Sequence, residues 1–378
     1  MDFKLNEEQQ MLADTVNRFL EREYDLLQRR KLLASASGYS ADHWNMMAEM
    51  GLLALNIPET DGGMGAGPVE SMIVMEAFGR HLVVEPFLPT AIVATAVLAR
   101  GASPEQREEL FPAIADGTLK VAVATQEPGA RFDLWQVTTR ARRDGSAWRL
   151  DGRKAVVLAG DSADRIIIPA RTSGADDATQ GITLFLVDAQ TSGLTVRGFP
   201  TIDGMRTAEI GLADVACTTV IGAVDEGYPL LEWAVDRGIA ALCAEAVGAM
   251  EQTLDITAEY LKTRVQFGQP LARFQVIQHR IAEIFAALEQ SRAVALLAAA
   301  DMDNPDRDQR RRSVATAKSI VGRCGRQIGE AAIQLHGGMG MSDEMPVGLY
   351  FKRLRCIDMT WGNSDHQLEQ YVQLMLTA

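Results

Sequence analysis

The sequence predicts an α+β protein in which a middle antiparallel β domain stands between two helical domains. Apolar residues recur at three- and four-residue spacing in the first part of the chain and again in its last part. Between them, from Lys120 to about Val220, short alternating apolar runs are separated by turn signals. We therefore expect an N-terminal helical domain at residues 1–119, a middle β domain at residues 120–225 and a C-terminal helical domain at residues 226–378.

Composition narrows the function classes. The chain has 378 residues, of which 47% are hydrophobic and 23% charged, so it can bury a large core. The net charge of -13 argues against nucleic acid as a partner. No apolar run has the length of a membrane span, and the N-terminus lacks a signal-peptide pattern, so we expect no membrane contact and a cytoplasmic location. The cysteines lie far apart, which argues against a disulfide framework or a metal site, and they are Cys217, Cys243, Cys324 and Cys356.

The first region begins with a helix. Asn6 and Gln9 have the spacing of a capping box, in which each side chain bonds the other residue's backbone N–H. The apolar residues that follow at helical spacing are Leu12, Val16, Phe19 and Leu20. Further along, Gly51 directly follows Met50 and is expected to end another helix, because glycine readily adopts the left-handed conformation of a C-cap.

The middle region has the pattern of strands. Runs such as R-I-I-I-P and I-T-L-F-L-V are rich in β-branched and aromatic residues. Two Asp-Gly pairs, Asp144-Gly145 and Asp151-Gly152, are typical of hairpin turns and are predicted to be turns.

Helical spacing returns at Tyr228, and two segments of this last region have a pattern suited to phosphate groups. R-V-Q-F-G-Q-P, from Arg264, joins two long helices through a turn and brings a fixed cation to that turn. Q-L-H-G-G-M-G, from Gln334 to Gly340, ends a helix with glycines that permit close backbone approach to a pyrophosphate. Taken singly, each segment is more often a structural turn or cap than a ligand site.

Taken together, these motifs resemble those of the acyl-CoA dehydrogenase family over nearly the whole chain. The opening helix L-N-E-E-Q-Q is followed by G-L-L-A-L-N-I-P-E-T-D-G-G-M-G, Q-E-P-G-A, L-D-G-R-K, R-x-x-F-G and Q-x-x-G-G-x-G in the order typical of that family. Within the family, the chain most resembles the small subunit of pimeloyl-CoA dehydrogenase and chains of heteromeric acyl-CoA dehydrogenases.

The resemblance implies an acyl-CoA dehydrogenase fold and the α,β-desaturation of an acyl-CoA thioester. A carboxylate removes the α-proton while a hydride leaves the β-carbon for FAD, and electron-transferring flavoprotein is the expected electron acceptor. In family dimers, several of these segments reach across to the ADP portion of the neighbouring chain's FAD. The implied FAD-binding residues are Gln126, Arg264, Gln266, Phe267, Leu271, Gln334, Leu335, Gly337, Gly338, Asn363 and Asp365.

The resemblance also implies that the catalytic base is absent. In the common family pattern the base is a Glu before a glycine, and alignment of that glycine with Gly362 puts Trp361 at the base position. Some members carry the base on the long helix after the β domain, and that position is Gly238. Asp365 and Asp236 lie near these two positions, but capping or solvent-facing carboxylates are the commoner interpretation of both.

The segments that face the flavin ring in the family also differ here. Gln126 replaces a threonine, and Arg131 and Phe132 replace a Gly-Ser pair. The Trp-Ile-Thr of the family becomes the run Val156–Leu158, so an aromatic neighbour and a hydroxyl are missing. The sequence thus predicts a degraded ring pocket beside a retained ADP-binding pattern.

Three functions fit this pattern. The leading one is a subunit that completes the FAD site of a homologous partner, which carries the catalytic Glu or Asp. The second is a self-sufficient homo-oligomeric acyl-CoA dehydrogenase with a displaced base such as Asp365. The third is a non-catalytic acyl-CoA-binding or scaffold protein without flavin.

Overall fold

The computed structural model describes residues 5–342 and 344–376, so the predicted outer domain limits, residues 1 and 378, lie outside the described residues. The order of elements is helical, then β, then helical, and the predicted fold class is confirmed. The helices are α1 (Glu7–Glu23), α2 (Leu26–Ala34), α3 (Ala41–Glu49), α4 (Pro68–His81), α5 (Thr95–Gly101), α6 (Pro104–Ala115), α7 (Gly227–Thr263), α8 (Gln275–Asp301), α9 (Arg307–His336), α10 (Val347–Met359) and α11 (Ser364–Leu376). Within the described residues, no helix is long and apolar enough to cross a membrane.

The strands of the middle region form one eight-stranded sheet. They are β1 (Val121–Val123), β2 (Arg140–Asp144), β3 (Ala147–Leu158), β4 (Arg165–Arg171), β5 (Ile182–Asp188), β6 (Leu194–Pro200), β7 (Arg206–Cys217) and β8 (Val220–Ile221). Their order is β6-β7-β3-β2-β4-β5-β8, with β1 beside β4. Most pairings are antiparallel as predicted, but β1 and β2 each pair with β4 in parallel.

One of the two predicted Asp-Gly turns is wrong. Gly145 does lie in the turn between β2 and β3, but Gly152 lies inside β3, where the pairing with β7 shifts register. The physical reason is the close approach of β3 to the residue before β2, because a Cβ at Gly152 would lie only 2.5 Å from Oγ1 of Thr139. Glycine marks bulges as well as turns, and a sequence alone does not separate the two.

The chain forms two compact units, each made of segments that are not contiguous in the sequence. One contains the residues up to Lys31, Pro68–Val83 and the chain from Ile239 onward, so α1 and α4 pack with the C-terminal helices. The other contains Leu32–Gly67 and Val84–Gly238, including the sheet. The three domain limits derived from the sequence therefore stay a prediction.

Within the first unit, α1 begins with the predicted capping box. The Asn6 side chain accepts from the N–H of Gln9 at 2.8 Å, and the Asn6 N–H donates to the Gln9 side chain at 3.1 Å. The residues of α1 that this unit buries are Val16, Phe19 and Leu20. They recur at helical spacing, so one face of α1 is held by hydrophobic packing.

Helices α4 and α7 cross in van der Waals contact through two glycines. A Cβ at Gly79 would lie 1.9 Å from the carbonyl oxygen of Glu245, and one at Gly248 would lie 1.8 Å from that of Glu76. Each glycine thus faces the backbone of the other helix. The crossing brings the two helices closer than any pair of larger side chains would permit.

Candidate functional site

The R-x-x-F-G segment forms a short hairpin at the end of α7. Its strands are β9 (Val265–Gln266) and β10 (Gln269–Pro270), which pair antiparallel. The two turn residues, Phe267 and Gly268, have φ values of 53° and 79°, as a type I′ turn requires. Phenylalanine rarely adopts this left-handed conformation, and here the side chain is 89% exposed.

The predicted ligand residues of this hairpin are accessible. Arg264 and Gln266 are exposed, and Leu271 is half-buried. The hairpin is fixed at its base, because the Arg264 N–H donates to the carbonyl of Tyr260 at 2.8 Å and the Leu271 N–H donates to that of Arg264 at 2.9 Å. The guanidinium of Arg264 is therefore a permanent positive charge on an anchored turn.

The glycine motif begins where α9 ends at His336. Gly337 has φ 61° and ψ -140°, a conformation that is essentially restricted to glycine. Both Gly337 and Gly338 are exposed, and a Cβ at either one would meet no atom within 4 Å. Gln334 is exposed and Leu335 half-buried. An open backbone at this turn fits the close approach of a pyrophosphate.

The hairpin and the glycine turn lie at the same end of the first unit. The rings of Tyr260, in the last turn of α7, and His336, at the end of α9, stack with centroids 4.4 Å apart and planes 24° apart. The Tyr260 hydroxyl also donates to the carbonyl of His336 at 3.4 Å. The structure thus brings together the two phosphate-binding segments predicted from the sequence.

Trp361 lies at the corner between α10 and α11. It is buried and has φ 55°, and its carbonyl accepts from the side chain of Gln367 at 2.9 Å. Gly362 follows with φ 107°, and a Cβ there would lie 2.6 Å from the His366 ring. The corner therefore holds an indole in a fixed place and offers no carboxylate at this position.

A buried lysine holds the same corner from α9. The Nζ of Lys318 donates to the carbonyls of Ile357, Asp358 and Thr360 at the C-terminal end of α10, where helical N–H donors run out. Burial lowers the pKa of Lys318 to about 8. The Asp358 carboxylate in turn accepts from the N–H and the hydroxyl of Ser364, at 3.0 and 2.8 Å, at the start of α11.

The other candidate base positions differ in burial. Gly238 is buried in α7 and has no side chain to act as a base. Asp365 is exposed in the first turn of α11, in line with a solvent-facing carboxylate. Asp236 is fully buried, so the expectation that it faces solvent or caps a helix end is wrong. Asn363 is half-buried, and its side-chain oxygen caps α11 by accepting from the His366 N–H at 3.0 Å.

In the second unit, Gln126 begins the loop that follows β1. Its backbone pairs with Ala155 of β3, and its side chain donates to the carbonyl of Arg131 at 3.3 Å. Next along β3, Val157 is buried in the sheet core, whereas Val156 is exposed with φ 50° and Leu158 is half-buried. Of the three residues in this run, Val156 and Leu158 are therefore the ones accessible to a ligand.

A buried ion pair anchors the Gln126 loop. Oε1 of Glu127 lies 2.6 Å from Nζ of Lys154, and both side chains are almost completely buried. The carboxylate also accepts from the backbone N–H of Thr138 at 2.7 Å and from that of Thr139. Burial alone would raise the pKa of Glu127, but Lys154 and these donors outweigh it and lower the pKa to about 2.

Sequence reasoning missed three of these features. Glu127 and Lys154 stand in the two motifs Q-E-P-G-A and L-D-G-R-K, but nothing in the sequence pairs them. The stacking of Tyr260 on His336 and the capping by Lys318 join residues far apart in the chain. Only Lys318 had a local signal, since it is a charged residue within the mainly apolar stretch V-A-T-A-K-S-I-V-G.

Within the described part of the chain, cysteines and potential metal ligands form no further site. Cys217, Cys243 and Cys324 are buried free thiols, while Cys356 is partly exposed. Burial raises the pKa of Cys243 to about 12, so this thiol stays protonated and unreactive near pH 7. Across residues 5–342 and 344–376, no group of three His, Cys, Asp or Glu side chains could hold a metal ion.

Three domain models of one family match this chain in consecutive segments that span nearly its whole length. Residues 6–118 match the model for the acyl-CoA dehydrogenase N-terminal domain, residues 122–215 the middle domain and residues 225–376 the C-terminal domain. The human mitochondrial short-chain specific acyl-CoA dehydrogenase is 29% identical, over 96% of this chain and 89% of its own. The probable acyl-CoA dehydrogenase YngJ of Bacillus subtilis is 27% identical over 97% of both.

Solved structures agree with these matches. A variant of the Tcur3481-Tcur3483 steroid ACAD superposes with a TM-score of 0.89 at 30% identity, covering 98% of both chains. The ChsE4-ChsE5 complex from Mycobacterium tuberculosis gives 0.90 at 25% identity, covering 100% of both. With its three domains matched in order and its fold shared with these structures, the chain belongs to the acyl-CoA dehydrogenase family of FAD-dependent oxidoreductases.

Proposed function

We propose that this chain is a partner-dependent subunit of an acyl-CoA dehydrogenase, which helps to hold the FAD of a homologous subunit that carries the catalytic carboxylate. The proposal rests on one contrast. The corner that would carry the base holds the buried Trp361 instead, whereas the hairpin with Arg264 and the turn with Gly337 are intact and exposed. Two relatives in the structural comparison, the ChsE4-ChsE5 complex and the Tcur3481-Tcur3483 protein, bear two-chain names, which supports a heteromeric assembly.

The residues of this chain would act by binding and orienting. Arg264 offers a permanent cation to a pyrophosphate, which matters in a protein with a net charge of -13. The backbone of Gly337 and Gly338 can approach phosphate oxygens without an intervening side chain. The exposed carboxylate of Asp365 could accept from a ribose diol, and Phe267 offers an aromatic face. When bound, FAD supplies the acceptor for the hydride that leaves the β-carbon of the acyl thioester.

The proposed assembly is a two-plus-two heterotetramer in the cytoplasm that passes electrons to electron-transferring flavoprotein. Helix α11 leaves Leu368, Val372 and Met375 exposed along one face, as expected for a helix that packs against another subunit. An acyl-CoA with a dicarboxylic or bulky acyl group is the proposed substrate class. The competing self-sufficient enzyme would use Asp365 as its base.

Flavin content separates these possibilities. We expect the chain purified alone to be colourless, and the complex with its co-expressed homologous partner to be yellow and to contain two FAD per four chains. The reason is that Val156 and Leu158 stand where the family resemblance implies an aromatic residue and a hydroxyl beside the flavin ring. The measurement is flavin absorbance against protein concentration, with native mass spectrometry for stoichiometry. Four FAD per tetramer, or a yellow and active single chain, would favour the self-sufficient enzyme.

Replacing Arg264 by alanine is expected to weaken FAD binding in the complex by about ten- to a hundredfold. The change removes a charge-assisted contact worth roughly 1.5 to 3 kcal/mol, although the mutated chain carries no base. The measurement is FAD titration of the deflavinated complex by fluorescence. Arg280→Ala is the matched control, because it removes an exposed arginine of the same unit that forms an ion pair with Glu283 one turn along α8. Unchanged FAD affinity in Arg264→Ala would refute the proposal that this chain helps to hold the partner's FAD.

Replacing Trp361 by phenylalanine is expected to leave the activity of the complex within a fewfold of the wild type. The aromatic core contact is largely retained and the base lies in the partner. A loss of three orders of magnitude, about 4 kcal/mol of transition-state stabilisation, would place Trp361 in a working site. Asp365→Asn is the companion variant, since an enzyme that uses Asp365 as its base would lose its activity with that change.

A further inference from the structure

The stacked pair Tyr260 and His336 joins the two segments that carry the proposed FAD contacts. Tyr260 contacts His336 in two ways. The centroids of the two rings are 4.4 Å apart, and the Tyr260 hydroxyl donates to the His336 carbonyl at 3.4 Å. That carbonyl belongs to the residue from which the glycine turn departs. One side chain of α7 therefore fixes both the side chain and the backbone at the end of α9.

The hairpin is attached to the same tyrosine. The N–H of Arg264 donates to the carbonyl of Tyr260, and the N–H of Leu271 closes the loop on the carbonyl of Arg264. Between these bonds, the residues from Arg264 to Gly268 are all exposed. The position of the guanidinium thus depends on the last turn of α7, where Tyr260 stands.

The ring of His336 is well suited to a fixed, neutral role. Its Nδ1 lies 2.8 Å from the carbonyl of Ala332 and carries the ring proton, since a carbonyl can only accept. Burial lowers the pKa of His336, so the ring is neutral near pH 7. Its Nε2 is buried and makes no hydrogen bond to the described residues. A phenyl ring at this position would therefore keep the stack and lose a single hydrogen bond.

We propose that Tyr260 and His336 are positioning residues that couple the Arg264–Leu271 hairpin to the Gly337–Gly338 turn, so that both segments meet one anionic ligand as a single rigid element. The coupling itself is a property of this chain alone. The identity of the ligand as the ADP portion of FAD rests on the proposed function. A preorganised pair of contacts binds more tightly than two independent ones, because less ordering entropy is lost on binding.

Three variants test the coupling. Tyr260→Leu removes the ring and the hydroxyl, Tyr260→Phe removes the hydroxyl alone, and His336→Phe keeps an aromatic stack. The measurement is hydrogen–deuterium exchange of the full-length chain, followed over residues 264–271 and 337–341. We expect Tyr260→Leu to speed exchange at least tenfold in both segments, and the two Phe variants to change it less than threefold. Exchange in β3 serves as the internal control for global unfolding.

The outcomes separate the two proposals. Faster exchange in the hairpin alone, or equal effects of Tyr260→Leu and Tyr260→Phe, would overturn the coupling through the stack. If exchange rises in both segments, FAD titration of the complex follows. Tyr260→Leu should then weaken FAD binding about tenfold, although Arg264 itself is unchanged. Coupled exchange without any change in FAD affinity would leave the positioning role standing and refute the FAD assignment.

Discussion

Replacing Glu127 by glutamine is expected to lower the free energy of unfolding of the sheet-containing unit by about 3 to 5 kcal/mol, the cost of breaking a buried ion pair by removal of one partner. In the wild type the Glu127 carboxylate lies 2.6 Å from Nζ of Lys154, and the change leaves this buried ammonium without a counter-charge. It also replaces a carboxylate that accepts from Thr138 and Thr139 by an amide with one acceptor oxygen. The measurement is chemical denaturation followed by circular dichroism.

The matched control is Asp144→Asn, which breaks the exposed ion pair with Arg149 at 2.9 Å. Exposed pairs contribute about 0 to 1 kcal/mol, so this variant should unfold almost like the wild type. A loss below about 1 kcal/mol for Glu127→Gln as well would contradict the buried-pair account. The double variant Glu127→Gln/Lys154→Met should recover much of the loss, because it removes the unpaired charge.

The effect of Glu127 depends on pH in a defined direction. The carboxyl has its pKa lowered from an ordinary value of 4.5 to about 2, so the folded protein binds fewer protons than the unfolded chain between these values. The stabilisation is therefore fully present above about pH 4.5 and is lost as the pH falls toward 2. The difference between wild type and Glu127→Gln should narrow over that window.

Replacing Gly248 by alanine is expected to destabilise the helical unit by about 1 to 3 kcal/mol or more, the usual cost of overpacking. The added Cβ would lie 1.8 Å from the carbonyl oxygen of Glu76, which is a backbone atom and cannot rotate away. Alanine stabilises a helix interior by about 1 kcal/mol relative to glycine, so the clash has to outweigh that gain in helix propensity. Thermal unfolding of the complex is the measurement.

Gly325→Ala is the matched control for this prediction. Gly325 is also a buried helical glycine, but its nearest neighbour is the terminal methyl of Met250 at 3.1 Å, which can move. We expect that variant to be neutral or slightly stabilised. Equal stability of Gly248→Ala and Gly325→Ala would show that the helices separate without cost, against the account of a close crossing.

Local signals explain what the sequence could predict. The capping box of Asn6 and Gln9, the return of helical spacing at Tyr228 and the Phe267-Gly268 turn all depend on residues close in the chain. Periodicity and turn chemistry act over the same short range, so the order of helices and strands follows from them. The turn after Arg264 and the helix end at the glycines after His336 were predicted for the same reason.

Long-range packing explains what the sequence could not predict. Glu127 and Lys154 meet because the loop after β1 lies against β3, and Tyr260 meets His336 because the ends of two long helices converge. The burial of Asp236 likewise depends on the elements that surround α7. No local pattern encodes these pairings, since each requires the fold to be known first.

The division of the helical unit along the chain has a consequence for synthesis on the ribosome. Its first segment ends at Lys31, but its largest segment begins only at Ile239. At a translation rate of about 5–20 residues per second, α1 emerges roughly ten to forty seconds before the C-terminal helices that complete its unit. During that interval α1 can pack against α4 but not against the helices after Ile239, so the nascent chain offers the uncovered apolar surface of these two helices to molecular chaperones before the unit can fold.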